Sequence, residues 1–304
     1  MKMPTQLPDA LVNRLRAQFG LEANGILKAF KVKRPMTLRV NTLKTTDRDV
    51  MDVARRGGIQ LERVMGVPHA FAVKNRSEKE LLAHTLCTDG WVYLQGVASM
   101  IPPLVADVRS GQAVLDLCAA PGSKTSQMAA MMQNTGCLVA VEKDEVRLQK
   151  LQNTLRVQGA SMVSVVRADA SLPMHEWDGV FDVVLADVPC SAEGRMDLSD
   201  KRSMAFWSQK NIIAHAKTQR RLLRSAVRAL KPGGHLVYST CTLAPEENEF
   251  MMAWVLSEFA FLKAEPLTVP LQAQHAARPS GIYILPTSRH EGLFVARLKK
   301  LAIE

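Results

Sequence analysis

From about Trp91 onward, short apolar runs alternate with longer segments whose apolar positions recur every three or four residues. That pattern predicts strands separated by helices. "AVLDLCAA" (Ala113–Ala120) is a buried strand, followed by "PGSK" and a helix from Thr125 to Asn134. "CLVAVEK" (Cys137–Lys143) is a second strand, with a helix over Asp144–Gly159. "MVSVVRAD" (Met162–Asp169) and "FDVVLADV" (Phe181–Val188) are the third and fourth. A long basic helix should stop at Gly233 and Gly234 of "KPGGHLVYSTC", where a fifth strand begins. "GIYILP" and "EGLFVARLKK" predict a closing antiparallel pair. Strands linked by helices imply parallel βαβ units, with ligands beyond the carboxyl ends of the strands.

The first ninety residues have a different texture. Leu11, Leu15 and Phe19 lie at helical spacing. "RPMTLRVNTLK" (Arg34–Lys44) alternates as a strand does, through Leu38, Val40 and Thr42. "TTDRDVMDVARRGG" has cap residues at its start and a Gly pair at its end, which predicts a capped helix. Strand-like pieces at Leu61–Val64 and Ala70–Val73 complete a small α+β unit. The expected division is therefore a module over 1–90 and an α/β domain over 91–304.

Length and composition narrow the class. A chain of 304 residues has room for two such units. No window approaches eighteen uninterrupted apolar residues, so no membrane span is expected, and the amino-terminal stretch lacks the pattern of a signal peptide. The five cysteines (Cys87, Cys118, Cys137, Cys190 and Cys241) are odd in number, widely spaced and without a C-x-x-C pair. Neither a disulfide framework nor a zinc site fits, and reduced thiols in a cytoplasm are expected. The net charge of +10 is uneven. Lys28–Arg63 carries ten Lys/Arg against four Asp/Glu, and "KTQRRLLRSAVRALK" (Lys217–Lys231) has six basic residues and no acid. Such clusters serve either as solvated helix faces or as a polyanion footprint. Charge alone does not choose.

The strand ends carry the chemistry. In "DLCAAPGSKT", small residues after a strand let backbone approach a ligand at a helix N-terminus, although the G-x-G-x-x-G of dinucleotide loops is absent. Glu142 ends strand two, where a carboxylate accepts from ribose hydroxyls. Asp169 ends strand three, in reach of an adenine amino group, and Asp187 ends strand four. Three acids at successive ends form a nucleoside-binding constellation. Cys190 and Cys241 follow the fourth and fifth strands, at matching points. Cys118 is expected inside strand one as a small core residue, and Cys87 and Cys137 near turns.

With these motifs in hand, "DLCAAPGSKT", "DVPCSAEG", "YSTCT…EEN" and the upstream "RPMTLRVNT" resemble the RNA cytosine-5 methyltransferases of the Rsm/Nop/Sun family. The likeness runs from about Arg34 to Lys300 and looks closest to bacterial members acting on small-subunit ribosomal RNA. It implies a class I S-adenosylmethionine-dependent methyltransferase: a Rossmann-like α/β fold with a mostly parallel, seven-stranded sheet and a small N-terminal α+β module. It implies that S-adenosylmethionine is held by Cys118, Ala119, Ala120, Pro121, Gly122, Ser123, Lys124, Glu142, Arg147, Asp169 and Asp187. It also implies that Cys241 attacks the base and that Cys190 assists release. Thiolate addition at carbon 6 of cytosine makes carbon 5 nucleophilic, and the carbon 5 proton must then leave before the thiolate is expelled. Asp187, sharing a proton, would bond the ring nitrogen, and Lys124 would stabilise the thiolate or the base oxygen.

The target cytosine must be single-stranded, looped or flipped to reach a thiol. The basic module suits that demand, as does the helix on which Arg220, Arg224 and Arg228 repeat on one face and Leu223, Val227 and Leu230 on another. Two departures stand out. "DLSDKRSMAFW" replaces the family's usual basic-Asp-Pro stretch, and the chain stops soon after the last catalytic strand, where several relatives carry a further RNA-binding domain. The expected activity is 5-methylcytosine formation in ribosomal RNA. Transfer RNA as substrate, a catalytically silent ribosome-assembly factor, amino-group methylation and a dinucleotide oxidoreductase are the alternatives.

Overall fold

The computed structural model describes residues 7–205, 207–271, 274–276 and 281–302. Helix α1 (Asp9–Phe19) and helix α2 (Ala23–Ala29) come first. Then follow β1 (Thr37–Val40), α3 (Asp47–Arg56), β2 (Leu61–Arg63), β3 (Ala70–Val73), α4 (Glu78–Leu82), α5 (Thr85–Thr88) and β4 (Val92–Leu94). The four strands make an antiparallel sheet in the order β2-β3-β1-β4. Its fourth strand lies past residue 90. Thr46 caps α3 by accepting from the Asp49 amide, and Asp47 and Asp49 sit at its positive end. Val50 and Ala54 on that helix bury against Leu38, Val40, Phe71 and Val73 of the sheet. The first two helices take a different partner: Leu11, Leu15, Phe19, Ile26 and Phe30 join the core that contains Phe181, Tyr238 and Phe294 of the larger sheet.

After α6 (Ile101–Ala106) the predicted alternation appears. It comprises β5 (Ala113–Asp116), α7 (Ser123–Met131), β6 (Cys137–Glu142), α8 (Glu145–Gln158), β7 (Val163–Arg167), β8 (Phe181–Asp187), α9 (Gln209–Ala229), β9 (Leu230–Thr240) and α10 (Glu249–Glu258). β10 (Leu262–Ala264), β11 (Gln274–Ala276), β12 (Ile282–Ile284) and β13 (Leu293–Lys300) follow. Strands β9-β8-β5-β6-β7 pair in parallel, and β12 and β13 close the sheet antiparallel on β9, as the sequence predicted. Nine strands are present among the described residues, where seven were expected. The two extra are three-residue pieces, β10 and β11, added at the antiparallel end. The chain runs outward from β5 through β6 to β7, then returns to the other side of β5 as β8 and β9. This reversal opens a crevice beyond the ends of β5 and β8.

Three sequence expectations shift. Strand β5 stops at Asp116, so Cys118 lies beyond it in the loop and not inside a strand. Helix α7 begins at Ser123 and ends at Met131, before Gln133 and Asn134, which both have positive φ. Gly233 and Gly234 do not stop α9, which ends at Ala229. They lie within β9, where one residue of β8, Asp182, faces four of β9 between the pairs Phe181–Leu230 and Val183–His235. Pro232 has no amide to donate and Gly233 has φ +81°, so the chain bulges there without leaving the sheet.

Candidate active site

Past Asp116 the chain is stitched to both neighbouring strands: the Leu117 amide donates to Leu185 and the Ala119 amide to Val141. At Gly122 the backbone turns with φ +101°, and a Cβ there would sit 3.0 Å from the Leu151 side chain. Glycine is required on both counts. Helix α7 then starts with its amides toward the crevice. Asp116 is buried, with Oδ2 accepting from Thr125 Oγ1 at 2.7 Å and Oδ1 without a partner, and burial pushes its carboxyl up to about 6.

Arg39 of β1 reaches across from the small sheet. Its buried guanidinium donates to Gln95 Oε1 (2.6 Å), the Ser123 carbonyl (2.8 Å), Ser126 Oγ (3.0 Å) and Gln127 Oε1 (3.3 Å). Burial draws its pKa down to about 9. The small module thereby grips the first turn of α7.

A cleft of about 480 Å³ is lined by Asp116, Cys118, Ala119, Ala120, Pro121, Ser123, Lys124, Arg147, Asp187, Cys190 and Cys241, among others. Gly122 is absent from its wall because it faces α8. Glu142 and Asp169 line an adjoining recess of about 40 Å³ that shares Cys118, Arg147 and Pro189 with the cleft. Glu142 accepts from the Asp144 amide at 2.9 Å and lies 3.4 Å from Arg147, which also donates to the Ala120 carbonyl at 2.8 Å. Asp169 accepts from the Ser171 amide at 3.0 Å.

Asp187 and Lys124 form an ion pair at 2.7 Å. The other Asp187 oxygen accepts from Ser239 Oγ at 2.7 Å, and Lys124 also donates to Ser99 Oγ at 3.0 Å. Burial disfavours the Lys124 ammonium, but the Asp187 carboxylate outweighs burial and raises its pKa.

Strands β8 and β9 are parallel neighbours with Asp187 beside Ser239, so the loops that follow bring Cys190 and Cys241 together. Their sulfurs are 3.2 Å apart, and the Cys241 amide also points at Cys190 Sγ, at 3.2 Å. The Cys190 thiol donating to Cys241 lowers the Cys241 pKa, with Arg195 and Lys124 adding to the effect against burial. Cys190 is pushed upward by that same bond and by burial. Arg195 lines the cleft 3.7 Å from Glu291. Its loop is tied on both sides, with the Gly194 amide donating to the Cys241 carbonyl and the Gly292 amide to the Gly194 carbonyl. A Cβ on Gly194 would lie 2.3 Å from the Gly292 carbonyl oxygen, so this packing admits no side chain.

The sequence reading missed Asp116, Ser239 and Arg195. Asp116 had a signal available, since it is a further acid at a strand end. Arg195 had none before the loops were folded together.

The basic helix shows the expected division, with Arg220, Arg224 and Arg228 exposed and Leu223, Val227 and Leu230 buried, but the arginines also have neighbours. Arg220 and Arg224 lie over the Trp254 ring at 5.2 and 5.1 Å, Arg224 pairs with Glu258 at 3.0 Å, and Arg228 pairs with Asp178. A phosphate on this face would therefore compete with contacts the arginines already make within the fold. Of the atypical loop, Phe206 lies outside the described residues. The Leu198 amide donates to the Phe30 carbonyl and Arg34 to the Met196 carbonyl, which seats the loop on the segment after α2. Cys87 is half-buried in α5, and Cys137 is exposed at the start of β6. Among the described residues no group of three or more His, Cys, Asp or Glu could hold a metal ion, and no helix is long and apolar enough to cross a membrane.

Residues 103–299 match the family described as 16S rRNA methyltransferase RsmB/F, and residues 7–78 match the ferredoxin-like domain of RsmF/B-like methyltransferases. The ribosomal RNA small subunit methyltransferase F of Escherichia coli O127:H6 is 34% identical, over 96% of this chain and 63% of that protein. The chain thus spans less than two thirds of the length of the curated relatives it matches. Among solved structures, a methyltransferase homolog protein from Pyrococcus horikoshii aligns with TM-score 0.84 and 29% identity, over 98% of this chain and 96% of that one. NSun6 from the same organism, solved with SFG, shares the fold at TM-score 0.83 and 21% identity, over 97% and 99% of the two chains.

Proposed function

The chain belongs to the RsmB/F family of 16S rRNA methyltransferases, and from that premise we propose that it forms 5-methylcytosine in ribosomal RNA, in the cytoplasm, using S-adenosylmethionine. The observation that carries this reading is the pair of thiols 3.2 Å apart in the wall of a cleft that strand-end acids also line.

The residues present fit the cofactor. A cleft of about 480 Å³ is of ligand size, and the buried, unpartnered Asp116 oxygen beside it awaits a donor. Cys118–Lys124 and Arg147 would hold the amino-acid end against the start of α7, where amides favour a carboxylate. Glu142 would take the ribose hydroxyls, Asp169 the adenine amino group, and Asp187 the side nearest the reacting centre. When bound, the cofactor supplies the methyl group as an electrophilic sulfonium.

The remaining chemistry belongs to the chain. Cys241 adds as thiolate to carbon 6 of the cytosine, and its electron pair makes carbon 5 nucleophilic. The shared-proton role expected of Asp187 passes to the ion pair: both Asp187 oxygens are engaged, so the donor to the ring is the Lys124 ammonium that Asp187 holds in place. While Cys241 is anionic, Cys190 keeps its proton, because two negative sulfurs at 3.2 Å repel. Once Cys241 is bonded to carbon, that repulsion is gone. Cys190 can then ionise to solvent, accept the carbon 5 proton, and allow the Cys241–carbon 6 bond to break.

Incubation with labelled S-adenosylmethionine and total RNA, followed by mapping of 5-methylcytosine, tests the reading. Label is expected in small-subunit ribosomal RNA; label in transfer RNA would replace the substrate, and no turnover would favour a silent assembly factor. Cys190→Ala should accumulate a covalent protein–RNA adduct and Cys241→Ala none. The opposite pattern would mean that the two roles are exchanged.

A further inference from the structure

Two adjacent residues just beyond the second thiol loop, Glu247 and Asn248, have buried polar side chains that neither cofactor binding nor base attack uses. Their contacts fall in a regular way. Asn248 Oδ1 accepts from Thr240 Oγ1 at 2.6 Å, and its Nδ2 donates to the Thr242 carbonyl at 3.0 Å. Those are the residues on either side of Cys241. Glu247 accepts from the Ser191 amide at 3.2 Å and from the Ser191 hydroxyl, and it also accepts from Gln219 Nε2 at 2.7 Å. Gln219 in turn donates to the Pro189 carbonyl at 3.0 Å. Pro189 and Ser191 are the residues on either side of Cys190. A cross-brace completes the frame, with Ser191 Oγ and Thr242 Oγ1 2.7 Å apart.

We propose that Glu247 and Asn248 are positioning residues that clamp the two cysteine loops at the spacing needed for one base to be attacked by one thiol and deprotonated by the other. The inference rests on the two-thiol reading above. Carbon 5 and carbon 6 are bonded neighbours, so sulfurs that serve both in turn must stay within a narrow range of separation. Backbone loops after parallel strands do not hold such a range unaided. The clamp must grip the chain on both sides of each cysteine, because a single tether leaves the side chain free to swing. Among the described residues no cation is bonded to Glu247. Its bonded partners are Ser191 and Gln219, Arg14 is taken by Glu193, and the Tyr238 hydroxyl donates to the Glu247 carbonyl. A buried carboxylate held only by neutral donors costs stability, which suits a residue whose bonds are needed for geometry.

The test uses the full chain and two near-isosteric variants, Asn248→Asp, which deletes the donor to the Thr242 carbonyl, and Glu247→Gln, which turns an amide toward Gln219. Diamide converts the two thiols to a disulfide, taking two electrons and two protons and becoming the hydrazine. Its rate therefore reports sulfur spacing without RNA. Both variants should melt cooperatively yet cross-link Cys190 to Cys241 about tenfold or more slowly than the parent, the scale on which ångström misplacement acts. In methylation assays, kcat should fall with KM for RNA unchanged, and the trapped adduct fraction should rise. Folded variants that cross-link at the parental rate would overturn the clamp. If the parent forms no 5-methylcytosine while cross-linking is still slowed in the variants, the clamp stands and the proposed reaction falls.

Discussion

At the scale of single residues, Cys190 and Cys241 are the same side chain in nearly the same place, and what separates them is first the hydrogen bond between their sulfurs and then the cations near Cys241. Arg195 and Lys124 favour the Cys241 thiolate, while the hydrogen bond between the sulfurs and burial keep the proton on Cys190. The depressed pKa of Cys241 means that its thiolate persists to lower pH than an ordinary cysteine's. Arg195→Ala should move the pH midpoint for iodoacetamide labelling of Cys241, followed by peptide mass spectrometry, to higher pH. A midpoint that stays put would assign the activation to the Cys190 hydrogen bond and Lys124 without Arg195. The placement of two thiols at matching points was legible in the sequence, because both follow strand ends. Their order was not, since Arg195 comes from a loop that only the fold brings over Cys241.

At the scale of elements, periodicity located nearly every strand and helix but did not say what each helix face would meet. Helix α9 illustrates the difference. Its arginines repeat every four residues, as a phosphate-binding stripe would, yet Trp254 and Glu258 of α10 and Asp178 before β8 take them. Arg224→Ala should lower unfolding free energy by about 1 kcal/mol or less, as expected for an exposed pair with a cation–π contact. RNA affinity in a filter-binding assay should not change. A large loss of affinity would return α9 to the RNA surface. The bulge in β9 teaches the same lesson: Gly-Gly reads as a helix stop, but the pairing available from β8 carries the chain through it.

At the scale of the whole molecule, the first helices, the small sheet and the loop after Cys190 meet on one side. Leu11, Leu15 and Phe19 pack into the large core, and the segment after α2 hydrogen-bonds the 196–198 loop. Lys31 and Lys33 on that segment are exposed, and no ion pair among the described residues uses them. We propose them as residues that hold a phosphate backbone. The double variant Lys31→Ala/Lys33→Ala should weaken RNA binding and flatten its salt dependence by about 0.7–0.9 in log–log slope per lost phosphate contact. An unchanged slope would place the RNA path elsewhere.

By itself, the sequence determined the alternation that makes a parallel sheet, the strand ends at which the acids lie, and the two cysteines that follow neighbouring strands. Those follow from local periodicity and from residue chemistry, which a linear chain displays. Only the tertiary structure decided that β8 returns beside β5 to open the crevice, and that Arg39 ties the small sheet to the first turn of α7. It also decided that Asp187 pairs with Lys124, and that Glu247 and Asn248 bracket the thiols. Each of these depends on contacts between segments far apart in sequence, and no local pattern records which of several polar partners a buried side chain will find.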